Sequence, residues 1–235
     1  MKLLLSGLAL AALWLPLPAE VLEKTRKIGA TTVQYKVILP QGFDAAKAYP
    51  GVLAFGGGPQ TMEVVEGTIT RNWRAEAERR GYIVVLPAAP NGELFFEGGE
   101  KVFPEFLDKF LVDYKILDGR FHVAGMSNGG ISAFHVAALY PRYFWSITGF
   151  PGYLIEPTPV RVNAISKMCV HMFAGDLDTD WRDSMKKQSE EFRARGMKVT
   201  FAAEKDQPHR IGTLAGEGAG RLFDQFDASR KGCAK

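Results

Sequence analysis

The chain has 235 residues, of which 46% are hydrophobic and 23% are charged, and its formal net charge is +3 at pH 7. This length and apolar content suffice for one large buried core, and no break in composition divides the chain into two parts. Because basic residues are barely in excess and do not cluster, the sequence argues against nucleic acid as a partner.

Residues 1–19 have the pattern of a secretory signal peptide. Lys2 precedes an apolar run from Leu3 to Leu17, and Ala19 supplies the small residue for cleavage. A retained membrane anchor is the alternative, but the run is shorter than the roughly 20 residues that span a bilayer. We therefore expect cleavage after Ala19, which lowers the net charge from +3 to +2. The expected product is a secreted or periplasmic single domain over residues 20–235, without integral membrane association after cleavage.

Strand-like and helix-like segments alternate along the rest of the chain. The hydrophobic pattern predicts strands at residues 31–39, 51–55, 82–86, 120–125, 144–149, 168–174 and 198–203, the first at an edge of the sheet. It predicts helices at residues 68–80, 102–115, 181–195 and 211–229, and one that ends at Pro141. Such alternation predicts an α/β fold with a doubly wound, mostly parallel sheet. The connection at residues 150–167 is too short for a large lid domain.

Two loops at the predicted carboxyl edge of the sheet have unusual compositions. Residues 56–58 are three glycines after a buried strand, where bare backbone can approach a ligand closely; a merely flexible loop is the alternative. The loop at residues 87–100 contains Phe95 and Phe96. These two side chains either line an acyl or aromatic pocket or attach the loop to the body of the protein, and we favour attachment.

The stretch Gly125-Met-Ser127-Asn-Gly129 joins a predicted strand to a predicted helix. It matches Gly-x-Ser-x-Gly, the nucleophile elbow, in which a sharp turn exposes the serine hydroxyl. The N–H of Asn128, which follows the serine, then faces a developing oxyanion. The second oxyanion donor is expected from the glycine loop, and we select Gly57.

A nucleophilic serine needs a base, and the base needs an orienting acid, in the chain order Ser, Asp, His for this type of elbow. His122 and His135 lie too early in the chain, and His171 lies inside a strand facing a helix layer. His209 is in a loop after the last strand and is the predicted base. The acid is expected in the loop that follows the strand at 168–174.

That loop contains three aspartates. Asp180 is expected to cap the helix near Trp181, and Asp176 follows the strand so tightly that the turn can occupy it. We favour Asp178 as the acid, and Asp176 remains the alternative.

The segment from Asp118 to Gly130 resembles the Asp-x-x-Arg-(apolar)-Gly-Met-Ser-Asn-Gly-Gly pattern of secreted α/β-hydrolases. The resemblance is to the group of polyhydroxybutyrate depolymerases and feruloyl or acetylxylan esterases. It implies hydrolysis of a small-molecule or polymer-derived carboxylic ester, without a metal or organic cofactor. A peptidase or thioesterase of the same fold is one alternative, and a catalytically silent binding protein is another.

The sequence departs from this group at two positions. Phe55 stands where the group has a histidine that braces the oxyanion loop, and no glycine directly precedes His209.

The predicted topology also brings Cys169 and Cys233 together. Cys169 begins a parallel strand, and Cys233 ends a helix that runs back from the His209 side of the sheet. Both therefore reach the same end of the sheet, and we predict a disulfide between them; two unpaired thiols are the alternative.

Overall fold

The structure, a computed structural model, describes residues 20–233. The predicted signal peptide lies outside the described residues. The strands are β1 (Val21–Ile28), β2 (Thr31–Ile38), β3 (Tyr49–Phe55), β4 (Ile83–Pro87), β5 (Ile116–Gly125), β6 (Phe144–Gly149), β7 (Cys169–Gly175) and β8 (Lys198–Glu204). The helices are α1 (Met62–Thr68), α2 (Arg74–Arg80), α3 (Phe103–Asp113), α4 (Asn128–Leu139), α5 (Pro159–Ile165), α6 (Thr179–Ala194) and α7 (Gly220–Gly232).

The strands form one eight-stranded sheet in the order β1-β2-β4-β3-β5-β6-β7-β8. Strands β3 to β8 are parallel, whereas β1 and β2 pair antiparallel at one edge. The predicted mostly parallel α/β sheet is therefore confirmed. Because parallel strands end at the same edge, the loops after β3, β5, β7 and β8 open on one side of the molecule.

The sequence prediction placed the wrong strand at the edge. β1 pairs with β2 along its whole length, from Val21 opposite Ile38 to Ile28 opposite Thr31. β1 was missed because half of its eight side chains are charged and all but Ile28 are partly or fully exposed, so no apolar run marks it. Its pairing depends on the tight turn after Ile28, where Gly29 adopts a φ of 55°.

Helices cover both faces of the sheet. One buried cluster involves α1, α2 and α7, and the other involves α3 to α6. Phe95 is fully buried in the second cluster, with its ring centroid 5.2 Å from that of Phe55 and 4.9 Å from that of Phe103. The 87–100 loop is therefore attached to the body through Phe95, as favoured.

Two helices differ in extent from the prediction. The helix predicted from residue 68 begins at Met62, where the Thr61 side chain accepts a hydrogen bond from the Val64 N–H. It continues through a π-helical turn, Ile69–Trp73, into α2. The predicted closing helix begins at Gly220, because residues 212–219 form two short 3₁₀ turns.

The connection between β6 and β7 holds α5 and no lid domain. None of the helices between residues 20 and 233 combines the length and apolar character needed to cross a membrane.

The predicted disulfide is present. Cys169 begins β7 and Cys233 directly follows α7, and their Cα atoms are 5.5 Å apart. The link closes a separation of 64 residues and ties the last helix to β7, the strand next to the β8 edge of the sheet. Loop closure of this length stabilises a fold by about 4 kcal/mol in the chain-entropy description.

Two histidines are buried between the sheet and α7. The ring nitrogens of His171 lie 2.9 Å from Thr200 Oγ1 and 2.9 Å from Ser229 Oγ. His122 Nδ1 lies 2.8 Å from Ser146 Oγ, while its Nε2 is without a hydrogen-bond partner in the described part of the chain. Burial lowers the pKa of His171 from 6.5 to about 4 and holds the pKa of His122 well below its usual range.

We expect the protein to lose stability as the pH falls from 6.5 to about 4. In this range the unfolded chain binds a proton at residue 171 and the folded chain does not. The free energy of unfolding therefore decreases as the pH decreases. For His171 alone the loss is about 3 kcal/mol. Urea unfolding between pH 7.5 and 4 measures it, and His171→Gln should flatten the pH dependence. Equal slopes in the wild type and this variant would contradict the expectation.

Candidate active site

Ser127 occupies a sharp turn between β5 and α4. Its backbone angles are φ 57° and ψ −125°, a region of the Ramachandran plot that residues other than glycine rarely adopt. The Ser127 N–H donates to the Pro151 carbonyl at 2.7 Å, and the Ser127 carbonyl accepts from the Ile131 N–H at 2.9 Å. Strained backbone of this kind persists at functional sites because the surroundings hold it in place.

The glycines on either side of Ser127 allow a close approach of backbone. A Cβ added at Gly125 would lie 2.1 Å from the Gly129 carbonyl oxygen, and one added at Gly129 would lie 2.5 Å from the Phe55 carbonyl oxygen. Both contacts are far inside van der Waals distance. The turn of this geometry therefore requires glycine at both positions.

Gly57 and Asn128 lie directly against Ser127. A Cβ added at Gly57 would be 3.6 Å from Ser127 Cβ, and the Asn128 side-chain amide donates to the Gly58 carbonyl at 3.0 Å. In the hydrogen bonding of residues 20–233, neither the Gly57 N–H nor the Asn128 N–H donates to a protein acceptor. The structure thus brings both predicted oxyanion donors next to the serine, with their N–H groups free for another acceptor.

Gln60 braces the glycine loop and was missed in the sequence. It is fully buried with a φ of 54°, and its amide nitrogen donates to Ser132 Oγ at 2.9 Å and to the Gly56 carbonyl at 3.3 Å. Its amide oxygen accepts from the Phe95 N–H at 3.1 Å. The only sequence signal was a polar residue directly after the Gly-Pro turn. Gln60 thus provides a polar brace for the glycine loop that follows Phe55.

Replacing Gln60 with leucine should lower kcat by roughly 10- to 100-fold while KM changes little. The reason is that Ser132 and the Phe95 N–H lose their partner and the Gly57 backbone loses its fixed position, which acts mainly in the transition state. Gln188→Leu is the matched control, since Gln188 is also buried and bonds both the N–H and the carbonyl of Leu154. We expect similar destabilisation in both variants but a fall in kcat only for Gln60→Leu. Equal kcat values in Gln60→Leu and Gln188→Leu would show that Gln60 does not position the glycine loop for catalysis.

His209 and Asp178 are hydrogen bonded. His209 Nδ1 lies 2.7 Å from Asp178 Oδ2, and their side chains are 39% and 15% exposed. The structure therefore joins the predicted base to the predicted acid in a partly desolvated position. Nε2 of His209 has no hydrogen-bond partner within residues 20–233 and can take part in a proton transfer.

The neighbouring aspartates have other contacts. Asp176 Oδ1 accepts from the Gln207 N–H at 3.2 Å, which ties the acid loop to the histidine loop. Asp180 is not the N-cap residue: α6 begins at Thr179, so Asp178 occupies that position and Asp180 falls in the first turn. The prediction for Asp180 was wrong because the helix starts two residues before Trp181.

Gln207 holds the histidine loop in place. Its carbonyl accepts from the Leu177 N–H at 3.0 Å, and its side-chain oxygen accepts from the Gly212 N–H at 2.8 Å. Glu204, at the end of β8, adds a buried carboxylate that binds Arg221 and Thr213. These contacts order the backbone on both sides of His209.

Ser127 and His209 are not joined by a hydrogen bond in the part of the chain that the structure describes. Their neighbours Met126 and Ile211 belong to one apolar cluster, which brings the elbow and the histidine loop to the same edge. Catalytic hydrogen bonds are often long without substrate and shorten when it binds.

Trp181 packs against His209, and Tyr153 packs against Trp181. The centroid of Trp181 lies 4.9 Å from that of His209, and Tyr153 lies 5.2 Å from Trp181, both edge to face. This wall offers apolar contact beside the imidazole. No group of three or more His, Cys, Asp or Glu side chains in residues 20–233 is arranged to hold a metal ion.

Several solved structures resemble this arrangement of strands and helices. A thermostable esterase superposes with a TM-score of 0.71 at 16% identity, over 90% of this chain and 62% of that one. This chain thus spans less than two thirds of that esterase. A ferulic acid esterase superposes with a TM-score of 0.66 at 18% identity, over 91% of this chain and 98% of that one.

A dienelactone hydrolase from Anabaena variabilis superposes with a TM-score of 0.64 at 15% identity, over 90% of this chain and 96% of that one. The chain has the α/β-hydrolase fold. The predicted resemblance is confirmed at the level of the fold. No protein-family model matches the sequence, and no curated protein matches it.

Proposed function

We propose that this α/β-hydrolase is a secreted serine esterase that cleaves carboxylic esters through Ser127, His209 and Asp178. The observation that carries the proposal is the 2.7 Å contact between His209 Nδ1 and Asp178 Oδ2, on the sheet edge where Ser127 occupies a strained elbow. A catalytic triad is recognised on any fold by the geometry of its three residues and by the role of each. Ser127, Asp178 and His209 also follow each other in the chain order Ser, Asp, His that is typical of this elbow.

The reaction begins when Ser127 Oγ attacks the ester carbonyl carbon and its proton passes to His209 Nε2. Asp178 accepts a hydrogen bond from Nδ1–H, holds the required tautomer and stabilises the imidazolium. The N–H groups of Gly57 and Asn128 stabilise the negative oxygen of the tetrahedral intermediate. The intermediate collapses to an acyl-enzyme, and the leaving alkoxide takes the proton from His209. Water, activated by the same histidine, then releases the acid.

The substrate class is supported by the neighbours and by the aromatic wall. Two of the superposed proteins are named esterases, one of them for ferulic acid. Trp181 and Tyr153 provide flat apolar surface next to His209 for an acyl or aryl group. Export is supported by the predicted signal peptide and by the Cys169–Cys233 disulfide, since disulfides persist in oxidising compartments.

A fluorophosphonate probe, which reacts covalently with an activated serine, tests the role of Ser127 directly. We expect the purified mature protein to be labelled at Ser127, and we expect His209→Ala to lose the label. A folded protein that carries no label would refute an active serine hydrolase and favour the silent binding protein. If labelling succeeds, amide, thioester and ester substrates with a common acyl group separate the esterase from a peptidase or thioesterase.

A further inference from the structure

Arg71 lies beside the elbow on a rare backbone feature. It sits in the middle of the π-helical turn Ile69–Trp73 between α1 and α2, and such turns often occur at functional sites. Its Nη2 is 3.9 Å from Met126 Sδ, and the Cε of the same methionine would be 3.1 Å from a Cβ at Gly57. One side chain therefore separates the Arg71 guanidinium from the proposed oxyanion loop and from Ser127.

A second arginine approaches from the histidine loop. Arg210 is exposed and directly follows His209. The two backbones are held together, because Asn72 Nδ2 donates to the Leu214 carbonyl at 2.8 Å. Ile211 also links the two segments, because it packs in the same apolar cluster as the π-helical turn. The two backbone segments that carry Arg71 and Arg210 are therefore anchored to each other.

Neither guanidinium has a carboxylate partner within residues 20–233. Several other arginines of the chain do, such as Arg80 with three acids and Arg221 with Glu204. Burial, and after it the positive charge of Arg210, lowers the pKa of Arg71. A partly buried cation without a carboxylate partner is unfavourable, and an anion from outside the chain would stabilise it.

We propose that Arg71 and Arg210 form an anion subsite beside Ser127, and that the preferred substrates are esters carrying a second, ionised carboxylate. Guanidinium groups suit this ligand because their planar donors match a carboxylate in two parallel hydrogen bonds. The inference rests on the proposed esterase activity for its substrate class. The subsite would lie between the glycine loop and the residue after His209, whereas Trp181 packs against the His209 ring and Tyr153 packs against Trp181.

Two pairs of esters that differ only in this charge test the proposal. For the acyl side we would compare mono-4-nitrophenyl adipate with its methyl ester, and for the alcohol side 4-acetoxybenzoate with its methyl ester. We expect kcat/KM to favour the charged member of at least one pair by roughly tenfold. The preference should shrink in high salt, because salt screens partly exposed charges.

The variants Arg71→Gln and Arg210→Gln should each reduce this charged-to-neutral ratio severalfold. Arg79→Gln is the matched control: it removes the same charge from an exposed side chain of α2 that pairs with Glu76. It should leave the ratio unchanged. A wild-type ratio near one for both pairs, or equal ratios in Arg71→Gln and Arg79→Gln, would overturn the subsite.

Binding separates this proposal from the esterase proposal. Titration of the same four esters into Ser127→Ala protein reads the subsite without turnover, and the charged members should bind more tightly only while Arg71 and Arg210 are present. If the protein binds the charged esters more tightly but is not labelled by fluorophosphonate, the subsite proposal stands and the esterase proposal is refuted. If the protein is labelled but shows no charge preference in binding, the esterase proposal stands and the subsite proposal is refuted.

Discussion

Ser127→Ala is expected to lower ester turnover by a factor of at least about 10⁴ while leaving the fold intact. Without the hydroxyl no acyl-enzyme forms, and only the oxyanion donors and substrate binding remain. Alanine has no larger side chain than serine, so the strained turn keeps its packing. Initial rates with a 4-nitrophenyl ester, together with a thermal unfolding curve, measure both statements.

Ser184→Ala is the control for this variant, since Ser184 is an exposed serine on α6. It should keep wild-type activity and wild-type labelling at residue 127. Substantial turnover by purified Ser127→Ala would show that another group carries the reaction and would end the assignment of the triad.

Asp178→Asn is expected to lower kcat by about 10⁴ with a smaller change in KM. The amide keeps the shape of the side chain, but its NH₂ group can donate to Nδ1 and thereby favours the tautomer that cannot accept the serine proton. Because the contact from Asp178 Oδ2 to His209 Nδ1 is short and partly buried, water does not readily replace the carboxylate.

Asp176→Asn distinguishes the two candidate acids. The Asp176 carboxylate accepts from the Gln207 backbone, and an asparagine oxygen can accept the same hydrogen bond. We therefore expect less than about a tenfold loss of kcat in this variant, which corresponds to a change in barrier of about 1.4 kcal/mol. A large loss in Asp176→Asn with a small loss in Asp178→Asn would reverse the assignment made from the geometry.

The glycine loop at residues 56–58 is held by Gln60, a residue outside the sequence motif. From the sequence, Phe55 at this position left the geometry of the glycine loop open. In the structure Phe55 packs against Phe95 and Phe103, and Gln60 provides the hydrogen bonds to the loop backbone. Gln60 lies only four residues from Gly56, but its burial depends on Ser132 in α4 and on Phe95 in a distant loop.

The sequence by itself determined the class of fold, the elbow and the candidate residues. Alternating strands and helices with long crossovers allow few topologies other than a parallel sheet. Gly125 is required by a local backbone contact with Gly129, whereas Gly129 is required by the backbone of Phe55 and Gly56 in a distant part of the chain. The order Ser, Asp, His and the loop positions of Asp178 and His209 followed from where strands end. The Cys169–Cys233 disulfide followed from the same topology.

Only the tertiary structure decided the features that depend on long-range contacts. The edge strand β1 is defined by its pairing with β2, since its own charged residues show no apolar pattern. The choice of Asp178 for the contact with His209, and the roles of Gln60 and Gln207, depend on hydrogen bonds between loops far apart in the chain. The approach of Arg71 to the elbow depends likewise on the packing of Met126, because no local pattern records which unpaired charges meet at one edge of the sheet.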